Sequence, residues 1–332
     1  MHSVWKADDG NGYRMYRIPC IVATRRGTLL AACEARMSNS DWAAMDLVLK
    51  RSVDGGASWS ENVILARGAR EGVTYNNPVL IADGELVHLL YCREYACEAR
   101  GGGVFYTRSG DDGLSWSAPR EITARTHPAG YARNLLATGP GHGLAHSNGT
   151  LIAPVWMTRP TPDSRAHRPS DISTLYSKDR GLTWQMGEVL RSAGEMPNMS
   201  ESCAAELSDG SVLLNIRNES PKKRRAVAVS PNGCGGWSKP AFDETLTDPI
   251  CMAGILRYDA RTLLFCNPDS ESGRQNLTLR FSRDDGQSWP EALVVDPDAA
   301  AYADLAVMGD TIYVLYEKSP DIRLAAVKKA RR

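Results

Sequence analysis

A short turn motif that ends in tryptophan recurs along the chain at nearly regular intervals. Its pattern is Ser-x-Asp-x-Gly-x-Ser/Thr-Trp, and residues 52–59, 109–116, 177–184 and 282–289 match it in full. Residues 230–237 form a degenerate fifth copy that keeps the distance from serine to tryptophan. In such a turn the aspartate accepts hydrogen bonds from nearby backbone N–H groups, and the glycine takes the positive φ that the turn requires. The motif therefore predicts five hairpin turns, each covered by a tryptophan ring.

The spacing of these turns constrains the fold more than any other feature of the sequence. Successive copies begin 57, 68, 53 and 52 residues apart, and short apolar runs bounded by Gly, Asp and Asn lie between them. A period of about 50 residues that holds four short strands is typical of a β-propeller blade. For 332 residues this period predicts an all-β, six-bladed β-propeller of four-stranded antiparallel blades, in which the two chain ends close the sixth blade. No change in composition marks a boundary, so we expect residues 1–332 to form one domain.

Composition and charge exclude several classes of function. The formal net charge is +0, with 39 basic and 39 acidic residues, which argues against a nucleic-acid-binding surface. No apolar run approaches the roughly 18 residues of a membrane helix, so we expect no membrane insertion. No signal segment is visible, which leaves a cytoplasmic protein and a secreted one without its leader both open.

No metal or other cofactor is expected either. The eight cysteines form no CxxC pair, and the histidines lack the HExxH spacing of a zinc site. The repeated turns have too few acidic positions for a calcium loop of the EF-hand type. His142 lies in the sequence Gly-Pro-Gly-His-Gly and is expected to fill a tight turn.

Four segments outside the repeats carry charged and aromatic residues in recognisable settings. They are residues 16–42, which begin Tyr-Arg-Ile-Pro; residues 198–217, which contain Asn-Met-Ser-Glu-Ser and Asn-Ile-Arg; residues 267–279, which contain Arg-Gln-Asn; and residues 301–317, which contain Tyr-Ala-Asp-Leu. In order and spacing these segments resemble the motifs of bacterial-type exo-sialidases (neuraminidases). The repeated turns resemble the Asp-boxes, or BNR repeats, of the same family. The departures are small: Met-Ser precedes Glu201, and Ala303 replaces the usual serine.

This resemblance implies a set of residues that bind the substrate. Arg17, Arg217 and Arg274 match the three arginines that surround the carboxylate of sialic acid. A guanidinium suits that task because it is always charged and can form two parallel hydrogen bonds to a carboxylate. Arg36 matches a further arginine that contacts the sugar, and Glu317 matches a glutamate that supports Arg17.

The resemblance also implies a catalytic set. Tyr302 matches the tyrosine nucleophile, Glu201 the base that takes its proton, and Asp41 the acid that protonates the leaving oxygen. A neutral phenol approaches an anomeric carbon that bears a carboxylate without the repulsion that a carboxylate nucleophile would meet. Asp41 must be protonated to act, so its pKa is expected to rise when substrate buries it. Glu206 is the nearby alternative to Glu201 and is interpreted as structural.

The function implied is that of a retaining exo-α-sialidase, which releases terminal sialic acid from glycoproteins, glycolipids and oligosaccharides through a tyrosyl-enzyme intermediate. The domain 1–332 would then be a sialidase catalytic propeller. Three alternatives stay open at this point. They are a trans-sialidase, a relative that prefers the deaminated sugar Kdn, and a non-catalytic Asp-box propeller that binds glycans or proteins.

Overall fold

The structure, a computed structural model, describes residues 1–95, 98–126, 130–163 and 165–328. Within these ranges one 3-10 helix is present, at Thr123–Arg125. All other regular structure there is β: β1 (His2–Trp5), β2 (Met15–Ala23), β3 (Leu29–Arg36), β4 (Met45–Ser52), β5 (Val63–Ala66), β6 (Val73–Asp83), β7 (Leu86–Tyr95), β8 (Glu98–Ser109), β9 (Arg120–Glu121), β10 (Leu136–Thr138), β11 (Gly141–His142), β12 (Leu144–Ala145), β13 (Leu151–Thr158), β14 (Ser170–Ser177), β15 (Gln185–Met186), β16 (Ser202–Glu206), β17 (Val212–Ile216), β18 (Arg224–Ser230), β19 (Ala241–Thr247), β20 (Gly254–Asp259), β21 (Thr262–Pro268), β22 (Gln275–Ser282), β23 (Glu291–Ala299), β24 (Ala303–Met308), β25 (Thr311–Lys318) and β26 (Asp321–Lys328). In the part of the chain described, no helix has the length and hydropathy needed to cross a membrane.

These strands form four blade-sized sheets and one larger sheet. Three sheets have four strands, in the orders β1-β26-β25-β24, β16-β17-β18-β19 and β20-β21-β22-β23. A fourth has five strands, with β10-β13-β14-β15 in order and β12 beside β13. The last has nine strands, with β2-β3-β4-β6-β7-β8-β9 in order, β5 beside β4 and β11 beside β6. The all-β class and the four-stranded antiparallel blade are therefore confirmed.

The predicted count of six separate blades is wrong. Four blade-sized sheets are present, and the remaining strands of the first half of the chain are hydrogen-bonded into the single nine-stranded sheet. The physical reason is a parallel bridge between Met45 of β4 and Thr74 of β6, which continues the backbone ladder from one group of strands to the next. A repeat period gives the length of each unit, but it does not say whether the edges of two units will pair.

The repeated turns have the hydrogen bonds that their sequence predicts. In the last copy Asp284 accepts bonds from the Ser288 N–H at 2.9 Å and from the Ser282 hydroxyl at 2.7 Å. Gly286 has a φ of +85°, a conformation that a residue with a Cβ rarely adopts. Trp289 packs against Phe265 with 5.6 Å between ring centroids. Each turn thus closes a hairpin and attaches its tryptophan to the core.

Apolar side chains pack between neighbouring sheets and join the two ends of the chain. Val4 and Trp5 of β1 lie in one buried cluster with Leu29, Leu315 and Leu324. The first strands of the sheets meet around the centre, where β2 contacts β6 and β24, and β20 contacts β16 and β24. The starts of these strands surround one opening, and residues that are distant in sequence converge there.

Candidate active site

A cavity of about 380 Å³ lies at this opening. Seven of the eight residues singled out from the sequence line it: Arg17, Arg36, Asp41, Glu201, Arg217, Arg274 and Tyr302. The eighth, Glu317, lies behind Arg17 and is 4% exposed. The fold therefore brings the whole predicted set together.

Tyr302, Glu201 and Arg217 form a hydrogen-bonded triangle at the floor of the cavity. The Tyr302 hydroxyl donates to Glu201 Oε1 at 2.8 Å, and Arg217 Nη1 donates to the same hydroxyl at 2.8 Å. Arg217 Nη1 also donates to Glu201 Oε2. Glu201 and Arg217 are held in register because each lies at the same end of the β16–β17 hairpin, where Ser200 N–H donates to the Arg217 carbonyl at 3.0 Å. The phenolic proton thus points at a carboxylate.

Three guanidinium groups surround the Tyr302 ring. Their central carbons lie 5.5 Å (Arg17), 6.0 Å (Arg217) and 5.2 Å (Arg274) from the ring centroid. Burial raises the pKa of Tyr302 well above its ordinary value, and nearby Glu201 acts in the same direction. Arg217 and Arg274 oppose this shift. The arrangement concentrates positive charge around a phenol that is only 5% exposed.

Arg17 is fixed by a local irregularity and by a distant glutamate. The register of β2 against β3 shifts between Arg17 and Cys20, and Ile18 has a φ of +59°. The bulge turns the Arg17 side chain toward the cavity. Glu317 Oε1 accepts from Arg17 Nε at 3.2 Å and from the Ile18 N–H at 2.8 Å. The Glu317 N–H donates to the Tyr302 carbonyl at 2.9 Å, so one residue supports both Arg17 and Tyr302.

Arg36 and Asp41 form a second charged group at the rim. Arg36 Nη1 donates to Asp41 Oδ1 at 2.8 Å, and Arg17 Nη1 lies 3.7 Å from the same oxygen. Burial would raise the pKa of Asp41, but Arg36, helped by Arg17 and His167, outweighs it and lowers that pKa. The Asp41 side chain is 51% exposed, which suits a group that must meet a ligand.

Sequence reasoning missed the partner that holds Arg36. Glu34 is fully buried, and its Oε2 accepts from Arg36 Nε at 2.7 Å while its Oε1 accepts from the Asn77 N–H at 2.8 Å. Glu34 and Arg36 are two apart on one strand, so their side chains share a face of the sheet. The spacing of two residues between Glu34 and Arg36 within a predicted strand was the signal in the sequence that could have revealed this pair.

A small aromatic wall beside Asp41 was also missed. Trp42 and Trp156 both contact the ring of His167, with centroids 5.7 Å and 5.6 Å apart, and all three side chains line the cavity. They come from three different loops or strands, so no local sequence motif predicts that they lie together. They give the cavity an aromatic lining beside Asp41.

Two residues outside the predicted set have structural surroundings. Glu206 accepts from the Ser147 N–H at 2.8 Å and lies outside the cavity, in keeping with its structural interpretation. His142 is buried and pairs with Asp304 through Nδ1 and Oδ1, 2.6 Å apart. Burial lowers the pKa of His142, but Asp304 outweighs it and raises that pKa. His142 therefore lies on the short strand β11 and not in the tight turn predicted for it, and its ring is hydrogen-bonded to a buried carboxylate. Among the described residues no group of His, Cys, Asp or Glu could hold a metal ion.

Comparison with known proteins agrees with the geometry. The model of the BNR repeat-like domain matches residues 27–314. A sialidase of Micromonospora viridifaciens is 32% identical over 344 residues, covering 95% of this chain. The chain belongs to the BNR-repeat sialidase family. A second member of this family, a sialidase of Bacteroides fragilis, is 30% identical over 341 residues and covers 92% of this chain.

Solved structures place this family member among proteins of the same fold. The Hadza microbial sialidase Hz136 superposes with a TM-score of 0.87 at 25% identity, covering 98% of this chain and 68% of that one. The chain spans 51% of the length of the Micromonospora sialidase and 60% of that of the Bacteroides sialidase. The sequence match therefore covers a propeller-sized part of those longer proteins.

Proposed function

We propose that this chain is a retaining exo-α-sialidase that hydrolyses terminal sialic acid from glycoconjugates through a tyrosyl-enzyme intermediate. One observation carries the proposal: a buried phenol, Tyr302, donates its proton to Glu201 at 2.8 Å in the centre of three guanidinium groups. That combination suits a substrate whose reacting carbon carries a carboxylate. We further propose that residues 1–332 act as one catalytic propeller domain.

Arg17, Arg217 and Arg274 bind the substrate carboxylate in this mechanism. All three stand within about 6 Å of the Tyr302 ring, so a carboxylate held among them lies next to the phenol oxygen. Charge-assisted bonds from guanidinium to carboxylate are roughly twice as strong as neutral ones. Binding thus positions the anomeric carbon for attack, and proximity of this kind lowers the barrier of the chemical step.

Tyr302 then attacks the anomeric carbon while Glu201 accepts its proton. Burial raises the pKa of Tyr302, so its phenol stays neutral until Glu201 takes the proton during attack. Asp41 donates a proton to the departing oxygen and later takes a proton from the attacking water, while Glu201 returns its proton to the Tyr302 oxygen as the sugar leaves. Two successive displacements at the anomeric carbon retain its configuration. Sialidases with a tyrosine nucleophile are a known exception to the use of two carboxylates in glycosidases.

The test combines turnover with detection of the covalent intermediate. Wild type and Tyr302→Phe are assayed with a fluorogenic sialoside, and each is incubated with a fluorinated sialic acid that slows the second displacement. We expect release of sialic acid and a sugar adduct, seen by intact mass spectrometry, in the wild type. Tyr302→Phe should lose the adduct and at least about 10³-fold in kcat, the order of effect seen when a nucleophile or its base is removed.

Tyr176→Phe is the matched control, because its hydroxyl bonds to Gln185 on an outer strand away from the cavity. This variant should keep wild-type rates. No release of sialic acid by folded wild type would refute the enzymatic function. An adduct that persists in Tyr302→Phe would refute the choice of nucleophile. Added lactose separates hydrolysis from transfer, because a trans-sialidase would form sialyllactose in place of free sialic acid.

A further inference from the structure

A further arginine lies behind two of the arginines that line the cavity. Arg225, near the start of β18, is 0% exposed. Its Nε donates to the Asn215 side-chain oxygen at 2.7 Å, and its Nη2 donates to the Asn215 carbonyl at 3.2 Å. Its Nη1 donates to Asp248 Oδ2 at 3.2 Å and to the Cys251 carbonyl at 2.7 Å. Arg225 thus joins β17 to the loop that precedes β20.

These partners lead to two different arginines of the cavity. Asn215 lies two residues before Arg217, at the end of β17 that points to the cavity. The loop of residues 248–252 supplies the Ile250 carbonyl, which accepts from Arg274 Nη2 at 3.1 Å. One buried guanidinium is therefore bonded to the backbone segments that position both Arg217 and Arg274.

The loop that Arg225 holds is strained where it meets Arg274. Ile250 has a φ of +65°, which is unfavourable for a β-branched residue and persists only when surrounding contacts impose it. Asp248 imposes it from one side, because its Oδ1 accepts from the Cys251 N–H at 2.9 Å. Arg225 imposes it from the other, through the Cys251 carbonyl. Cys251 and Met252 then pack against Tyr302 in one buried cluster.

A buried ion pair costs free energy because both charged groups lose their hydration. Arg225 and Asp248 are both at most 1% exposed, and apolar residues of similar volume would often stabilise a core as well or better. What an apolar pair lacks is a set of donors that fixes two backbone segments at defined positions. The four bonds of Arg225 do that for the two segments next to the cavity.

We propose that Arg225, held by Asp248, is a positioning residue for the carboxylate-binding arginines Arg217 and Arg274. This inference rests on the proposed function, because it concerns selection of ligands that carry a carboxylate on the anomeric carbon. Arg225 touches no substrate. It sets the distance between two guanidinium groups and so determines how much more tightly the site binds an acid than the corresponding ester.

The test measures that preference directly. Dissociation constants are determined by calorimetry for an unsaturated sialic-acid analogue and for its methyl ester, with wild type, Arg225→Lys and Arg224→Lys. Lysine keeps the charge but cannot bond to both Asn215 and Cys251 as the planar guanidinium does. We expect about tenfold weaker binding of the acid by Arg225→Lys, the effect of losing one charge-assisted bond. Binding of the ester should change less than about twofold, so the preference falls.

Arg224→Lys is the matched control. Arg224 precedes Arg225 on the same strand but bonds to the Glu244 carbonyl and to Glu271, outside the cavity. It should keep the wild-type preference for the acid. The KM for a fluorogenic sialoside should rise in Arg225→Lys in parallel with the weaker binding of the acid, and should stay unchanged in Arg224→Lys.

Asp248→Asn provides the second variant should Arg225→Lys fail to fold. It removes the charge partner of Arg225 and should also reduce the preference for the acid. The inference is overturned if a folded Arg225→Lys or Asp248→Asn keeps the wild-type preference, if acid and ester weaken equally, or if neither variant folds. Wild type that binds neither ligand would instead refute the proposed function, so the two failures are distinguishable.

Discussion

Replacing Glu317 by glutamine tests how strongly one buried carboxylate holds Arg17. Glu317 Oε1 accepts from Arg17 Nε at 3.2 Å and from the Ile18 N–H at 2.8 Å, while Oε2 accepts from Arg17 Nη2 at 3.4 Å. Glutamine has the same shape but only one acceptor oxygen. That oxygen should take the Oε1 position, where two donors converge. The amide NH₂ then faces Arg17 Nη2, so a donor meets a donor.

The magnitude follows from what is lost and what remains. Hydrogen bonds to charged groups contribute about 1.5–3 kcal/mol, and removing one partner of a buried ion pair costs about 3–5 kcal/mol. Two of the three bonds survive in Glu317→Gln, and the Arg17 side chain is 17% exposed, so water recovers part of the loss. We therefore expect the free energy of unfolding to fall by about 2 kcal/mol, below the full cost of breaking such a pair.

The assay is urea unfolding followed by tryptophan fluorescence, with the midpoint and the slope fitted for each protein. Glu206→Gln is the control, because this glutamate bonds to Ser147 at a more exposed position outside the cavity. Its loss should stay near 1 kcal/mol or less, as for a typical exposed bond. An equal loss of unfolding free energy in the two variants would show that the bonds of Glu317 to Arg17 stabilise the fold no more than an exposed bond does. That result would refute the reasoning.

Two further outcomes concern stability away from the chemistry. Asp284→Ala removes the acceptor for Ser288 and Ser282 in the last repeated turn, and should cost about 1 kcal/mol in thermal unfolding while kcat and KM stay at wild-type values; a fall in kcat with unchanged stability would contradict this. His142→Gln should lower the melting temperature more at about pH 6 than at about pH 9. Pairing with Asp304 raises the pKa of His142 above its ordinary 6.5, so its stabilisation is complete below that value and is lost as the pH rises through the raised pKa. A difference in melting temperature that is the same at both pH values would refute this linkage.

The sequence could predict the residues of the candidate site because they belong to short motifs next to strand starts. Arg17 lies at the start of β2, Glu201 just before β16, Arg274 just before β22 and Tyr302 just before β24. Strands that start at the same end of neighbouring sheets bring such residues together, whatever their separation in sequence. The repeated turns predicted four-stranded antiparallel sheets, though not the nine-stranded one, and they contribute no side chain to the cavity.

Two other features were missed because they depend on contacts that leave no local pattern. The nine strands form one sheet because of a single backbone bridge between Met45 and Thr74. The side chains at these two positions give no sign in the sequence that their backbones pair. Arg225 is adjacent to another arginine in sequence, and nothing local shows that one is buried while its neighbour reaches Glu271. Its partner Asp248 is 23 residues away. Such pairs are defined by the packing of the fold, so they become visible only in three dimensions.

Glu201 and Asp41 are the two carboxylates proposed to be catalytic, and their surroundings explain why they would take different roles. The Glu201 side chain is 9% exposed and already accepts a hydrogen bond from the Tyr302 hydroxyl, so its position suits a base for Tyr302. The Asp41 side chain is 51% exposed and paired with Arg36, and its lowered pKa keeps it ionised in the free site. A general acid must hold a proton, so the acid role of Asp41 requires that substrate change its surroundings. Burial beneath the sugar, together with a ligand carboxylate that neutralises Arg17, acts in that direction, since both raise the pKa of a neighbouring carboxyl group.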